Sequence, residues 1–151
     1  MVRDRRMLGL LAVVGLWAGC SKGPGPVSKI EKVTPVSGTL TYKGAPLANY
    51  QVTFKPTDGR RPALGVTDAA GKFTLGTNNV GDGAPPGASQ VSVTFAPPEV
   101  DNSLTSGGIE NPAMLPKPKI KIPPKYGNVQ TSGLTQDVPD AGLTDVVIDL
   151  K

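Results

Sequence analysis

The 151-residue sequence contains no histidine and a single cysteine, Cys20. Without histidine the chain lacks the side chain that most readily serves as a general base near neutral pH. It also lacks the usual activator of a nucleophile and a common ligand of zinc and copper. One cysteine cannot close an internal disulfide, so stability has to come from packing. Aromatic residues are only 5% of the chain, which leaves few exposed platforms on which a sugar could be held. The longest apolar run covers residues 7–18, well short of the roughly 20 residues a membrane-spanning helix needs. Helix-forming patterning is scarce as well, whereas 19 glycines and 16 prolines favour many short strands joined by turns. The expected class is all-β.

What is present begins with an address. Arg3, Arg5 and Arg6 precede the apolar run, which closes on Ala18, Gly19 and Cys20, the layout of a secretory signal peptide. Leu16, Trp17, Ala18, Gly19 and Cys20 resemble the lipobox of bacterial lipoproteins, with Trp17 standing where that family prefers leucine. The resemblance implies cleavage between Gly19 and Cys20, a diacylglycerol on the Cys20 sulfur and usually a third acyl chain on its amine. Two or more chains anchor a protein durably where one does so only marginally. The expectation is an exported protein, lipid-anchored to a bacterial membrane with its domain outside the cytoplasm. Ser21, where aspartate favours inner-membrane retention in some bacteria, leaves inner or outer membrane open. Removing residues 1–19 takes away three of 16 basic and one of 12 acidic residues, so the formal charge falls from +4 to +2. That near balance makes no case for nucleic acid as a partner.

Residues 20–35 are polar, carry Pro24, Pro26 and Pro35, and read as a flexible tether. The domain is expected over residues 36–151. Alternation of apolar and polar residues predicts strands at about 36–42, 49–55, 63–68, 72–76, 90–96, 132–138 and 145–150. Val36, Leu40, Tyr42, Val52, Phe54, Phe73, Leu75, Val91, Val93, Phe95, Leu134, Val146, Ile148 and Leu150 are the expected inward residues. Between the third and fourth strands, Asp68 is placed to accept backbone N–H groups two residues on while Gly71 takes a positive φ.

These residues carry a second resemblance. Gly38, then 42–47 (YKGAPL), 52–54 (VTF) and 67–75 (TDAAGKFTL) look like the carboxypeptidase regulatory-like, or transthyretin-like, β-sandwich. The turn at 83–87 (GAPPG), ending on Gly87, and the strand 91–94 (VSVT) continue it. Residues 122–126 (IPPKY) and 132–135 (SGLT) resemble the tail of small bacterial lipoproteins carrying this domain. What the resemblance implies is a seven-stranded, two-sheet Greek-key sandwich. One departure is plain: Ala88, Ser89 and Gln90 stand where the family usually has a tyrosine, so a core aromatic has to come from elsewhere. A hydroxyisourate hydrolase shares this fold family, but its chemistry relies on histidine.

Residues 96–125 hold Pro97, Pro98, Pro112, Pro116, Pro118, Pro123 and Pro124 and cannot lie inside a sheet ladder. An excursion of that length is usually functional or disordered. An extended backbone there would put Lys117, Lys119 and Lys121 on one side, with Lys125 and Tyr126 following. Such a stripe suits an anionic polymer or lipid headgroup; it equally suits a solvated edge blunted by lysine and proline. Asp58, Asp68 and Asp82 sit in turns or beside glycine, where aspartate serves backbone geometry, and none has the dense ligand spacing of a calcium loop. No catalytic residue, metal or cofactor is expected. The reading is a non-enzymatic, lipid-anchored interaction module whose partners are the membrane, through Cys20, and other envelope proteins; its small-molecule ligand is unknown. The alternative is a carbohydrate- or polyanion-binding module that uses the 96–125 loop, and an exposed Tyr126 would favour it.

Overall fold

The structure is a computed structural model that describes residues 30–98 and 116–151. Eight strands follow one another: β1 (Val36–Tyr42), β2 (Ala45–Pro46), β3 (Tyr50–Pro56), β4 (Ala63–Val66), β5 (Lys72–Thr74), β6 (Gly87–Phe95), β7 (Leu134–Val138) and β8 (Leu143–Leu150). A 3-10 turn, Pro124–Gly127, precedes β7. Among the described residues no helix is long and apolar enough to cross a membrane. The signal segment 1–19, Gly19 and Cys20 lie outside the described residues.

Two open sheets of four strands form a sandwich-like, all-β domain. One has the order β4-β3-β6-β7, antiparallel throughout. In the other, β1 pairs with β5 and β2 in antiparallel fashion and with β8 in parallel. Each of the seven expected strands overlaps an observed one; β2, two residues long, is additional. β6 begins three residues earlier than its apolar alternation suggests. Ala88, Ser89 and Gln90 have no apolar period of their own, yet they lie between Asp137, Gln136 and Thr135 on one side and, for Ser89 and Gln90, Pro56 and Lys55 on the other. Pairing on both edges supplies the backbone hydrogen bonds that local pattern does not announce.

The core lies between the sheets. Val36, Leu40, Val52, Phe54, Phe73, Leu75, Val91, Val93, Ile148 and Leu150 are buried in it, and Tyr42, Phe95, Leu134 and Val146 pack half-buried against it. Leu47, Tyr50, Ala63, Ala84, Tyr126 and Val138 join them. Ser89 also turns inward, and its Oγ finds no hydrogen-bond partner among the described residues. The aromatic missing at that place is therefore not replaced there; Tyr50, Phe54 and Tyr126 fill other parts of the core.

Strand directions give the sandwich two distinct ends. Residues 31–34 attach at the near end. Asn78 bonds the backbone N–H and C=O of Glu31, Thr34 pairs with Ala84, and Lys32 reaches Asp140 at 3.0 Å. The beginnings of β1, β6 and β8 meet here through Leu143 N–H to Pro35 C=O and Gly83 N–H to Leu75 C=O. The part of the tether stretch nearest the domain is thus fastened to it. At the far end β1, β6 and β8 finish and β3 begins, joined by Ala96 N–H to Asn49 C=O and Lys43 N–H to Leu150 C=O.

β8 is an edge strand, and an edge of eight residues invites pairing with another chain. A bulge interrupts it: the register against β1 shifts between Val36 and Gly38, and Asp145 takes φ 60°. The bulge bends the strand and sets the carboxylate-bearing Asp145 on the edge, both of which discourage sheet extension.

Candidate functional site

The far end carries the lysines. Residues 116–122 run across it with alternating exposure: Lys117, Lys119 and Lys121 face solvent while Pro118, Ile120 and Ile122 are half-buried. Ile120 and Ile122 pack on the core, and the Tyr50 hydroxyl donates to the Ile120 carbonyl oxygen. Burial pushes the Tyr50 hydroxyl above the usual tyrosine pKa, so it stays protonated and keeps donating at physiological pH. Tyr50 was not among the expected inward residues. Its signal was there to read, since it lies in phase with Val52 and Phe54.

Pro123 and Pro124 then turn the chain into the 3-10 turn, where proline's fixed φ is already suitable and its missing N–H is no loss. The turn drives Tyr126 into the core, 4% exposed, with its hydroxyl donating to the Lys151 carbonyl oxygen at 2.7 Å and accepting from the Lys151 N–H at 3.0 Å. Tyr126 is therefore a pillar and not an exposed platform, and the sugar-stacking reading loses the aromatic it depended on. Lys125 remains exposed, its Nζ 4.7 Å from the centre of the Tyr126 ring. Two recesses of about 440 Å³ flank the lysine segment, one beside Leu47, Tyr50 and Lys117, the other beside Phe95, Lys121 and Ile122.

The turn residues have structural duties. Asp68 Oδ1 accepts from Ala70 N–H at 2.8 Å and Lys72 N–H at 2.9 Å. Gly71 sits at φ 74°, and the Leu40 carbonyl oxygen would lie 2.6 Å from any Cβ there. Gly87 opens β6 at φ 116°. Asp58 forms an ion pair with Arg60 at 2.7 Å. That residue's backbone N–H, followed by its guanidinium, holds the exposed Asp58 carboxyl below its ordinary pKa. Asp149 is lowered by the Thr41 hydroxyl and then by the Gly44 N–H. Among the described residues no group of three or more His, Cys, Asp or Glu stands close enough together to hold a metal.

Asp82 closes the loop between β5 and β6 by accepting N–H bonds from Thr77 at 2.7 Å, Asn78 at 3.1 Å and Asn79 at 3.0 Å. Desolvation, the largest single influence, raises its pKa, but the backbone donors of Thr77, Asn79 and Asn78 together outweigh it and the net direction is down. A carboxyl whose folded pKa is depressed contributes stability above its unfolded value, here 3.8, and loses it as pH falls through the folded value. Unfolding midpoints in urea are expected to drop as pH falls below about 4. In Asp82→Asn, the part of that drop owed to Asp82 should be missing and the neutral-pH midpoint lower than in the wild type. An unchanged acid limb in the variant would show that the loop carboxylate is not responsible.

A shallow groove of about 1030 Å³ lies beside β4 and β5, lined by Leu64, Val66, Phe73, Asn78 and Val80. Leu64, Val66 and Val80 are its exposed apolar members. Comparison with protein-family models, with curated proteins and with solved structures finds no match for this chain.

Proposed function

We propose that this chain is a non-enzymatic, lipid-anchored module of the bacterial cell envelope, held to its membrane through Cys20 and displaying its domain outside the cytoplasm. The finer fold we propose is the carboxypeptidase regulatory-like, or transthyretin-like, Greek-key sandwich. Its support is the order in which the YKGAPL, VTF and TDAAGKFTL stretches fall on the β1 end and β2, on β3, and on the β4–β5 turn. The observation that carries the functional reading is the polarity of the domain. Residues 31–34, which follow Cys20 in the chain, attach at one end, and the exposed lysine segment occupies the other. An anchored domain of this polarity presents its far end to the envelope. The aspartates support a non-catalytic role, because Asp58, Asp68, Asp82 and Asp149 are each engaged in holding a turn or a strand end. Envelope proteins are the expected class of protein partner, and the reading calls for no cofactor and no nucleic acid.

The test is the intact mass and membrane partition of the full chain expressed in a bacterium, beside Cys20→Ala. The wild type should gain the mass of its acyl groups and sediment with membranes. Its membrane-bound fraction should fall at least about tenfold in the variant, because acyl burial supplies the attachment. A wild-type product without added mass, recovered in the soluble fraction, would end the anchored reading.

A further inference from the structure

Charges of both signs mix at the near end of this domain, whereas the described far end carries a run of lysines. Glu31, Asp58, Asp82, Asp137 and Asp140 stand at the near end among Lys32, Lys55, Arg60 and Arg61, with Lys32 and Arg60 paired with Asp140 and Asp58. At the far end stand Lys43, Lys117, Lys119, Lys121 and Lys125. Among the described residues at that end, the carboxylates of Asp68 and Asp149 are occupied by backbone N–H groups and the Thr41 hydroxyl. No carboxylate among the described residues pairs with Lys117, Lys119 or Lys121. Their ammonium groups are therefore open to an anionic ligand, with an attraction that reaches about a Debye length into solvent.

The lysines are also held in place. Pro118, Ile120 and Ile122 face the domain between them, the Tyr50 hydroxyl fixes the Ile120 carbonyl, and Tyr126 locks the following turn. A backbone already ordered before binding loses little further conformational freedom when a ligand settles on it. Lys117, Lys119 and Lys121 are exposed on both sides of a bend at Lys119 and Ile120, so three ammonium groups within five residues can meet successive charges of a flexible linear polymer.

We infer that the lysine segment 117–125 is a binding rail for a linear anionic glycan of the cell envelope, one bearing carboxylate or phosphate groups. The inference rests on the anchored reading for its choice of polymer over lipid. Residues 31–34, on the Cys20 side of the domain, attach at the opposite end, so the rail is the part of the domain farthest from where the anchored chain enters. Lysine suits this role better than a shaped pocket would, because an ammonium on a flexible stem follows a polymer whose charges are repeated and whose conformation varies.

The experiment uses the detergent-solubilised full chain, with polygalacturonate and heparin as anionic probes, neutral dextran as the control polymer, and phosphatidylglycerol vesicles as the lipid surface. The expected result is binding to both anionic glycans and none to dextran, with affinity falling at least about tenfold between about 50 and about 300 mM salt. The double variant Lys119→Gln/Lys121→Gln should lose at least about tenfold in affinity. Lys32→Gln/Lys55→Gln, with the same change in net charge, should stay within about twofold, because only the first pair lies on the rail. All four side chains are exposed, so both variants are expected to fold, and equal unfolding midpoints check this. Equal losses in the two double variants, or dextran bound as well as heparin, would overturn the rail. Stronger binding to the vesicles than to either glycan, with the same dependence on Lys119 and Lys121, would overturn the glycan in favour of a lipid surface. Cys20→Ala separates the two ideas. Glycan binding retained by a variant that leaves the membrane supports both, whereas a variant that stays in the membrane ends the anchored reading and leaves the rail to its own lysine test.

Discussion

Gly38→Ala is expected to destabilise the domain by at least about 3 kcal/mol and to lower its melting temperature by about 10 °C or more. Gly38 lies in the middle of β1, opposite Phe73 of β5 on one side and Val146 of β8 on the other. A Cβ added there would stand 2.2 Å from the Val146 carbonyl oxygen, 2.4 Å from Val146 Cγ1 and 3.0 Å from Phe73 Cζ. The nearest obstacle is backbone, which no rotamer change can remove. Relief requires β8 to move away from β1, and β8 is held to this sheet by β1 alone. Because Val146 follows the bulge at Asp145, the displacement would also loosen Ile148 and Leu150, which close the core from this side. Thr39→Ala, one residue on and only half-buried, is the control and should change stability by no more than about 1 kcal/mol. Urea titrations of the three proteins check the expectation; a Gly38→Ala midpoint close to that of Thr39→Ala would show that the β1–β8 pair yields more easily than its packing implies.

Tyr126→Ala should have a comparable effect, about 3 to 5 kcal/mol, since it removes a buried aromatic ring from a core with few of them. Tyr126→Phe divides that effect. It keeps the ring and removes only the hydroxyl that both donates to and accepts from Lys151, for an expected loss of about 1 kcal/mol. The pair also separates structure from binding. In the phenylalanine variant the 3-10 turn remains packed, so the lysine segment stays in place and glycan binding should persist within about twofold. In the alanine variant the turn loses its pillar, and binding should weaken at salt and temperature where the domain is still folded. Identical stability of the two variants would mean that the ring contributes little and that the hydroxyl carries the contact.

Most of the β-structure was legible from the chain because it rests on local periodicity. In β3 burial alternates with the sequence, residue by residue, whereas in β6 Ser92 is buried along with Val91 and Val93. The Asp68 to Gly71 turn was legible for a similar reason: an aspartate oxygen two residues before its donor is a contact made within one loop. The site was legible only in part. Alternation of lysine with proline and isoleucine singled out Lys117, Lys119 and Lys121, all three of which are exposed, but it carried no sign of the Tyr50 hydroxyl that fixes Ile120 from 70 residues away. Tyr126 was misleading for the same reason. Between Lys125 and Gly127 it has polar, flexible neighbours and looks exposed, whereas its ring joins the core and its hydroxyl bonds the Lys151 backbone 25 residues on.

Local chemistry thus determined by sequence alone where seven of the eight strands lie, though not the start of β6, and how the Asp68 to Gly71 turn closes. The composition excludes histidine and internal-disulfide chemistry. What only the tertiary structure decided is which end of the sandwich each feature occupies. The parallel pairing of β1 with β8, the docking of Glu31 on Asn78 and the bond from Tyr50 to Ile120 join residues far apart in the chain. Such contacts form only when two sheets bury their apolar faces together. The placing of the lysine segment at the end opposite residues 31–34 follows from that burial, and no window of local sequence contains it.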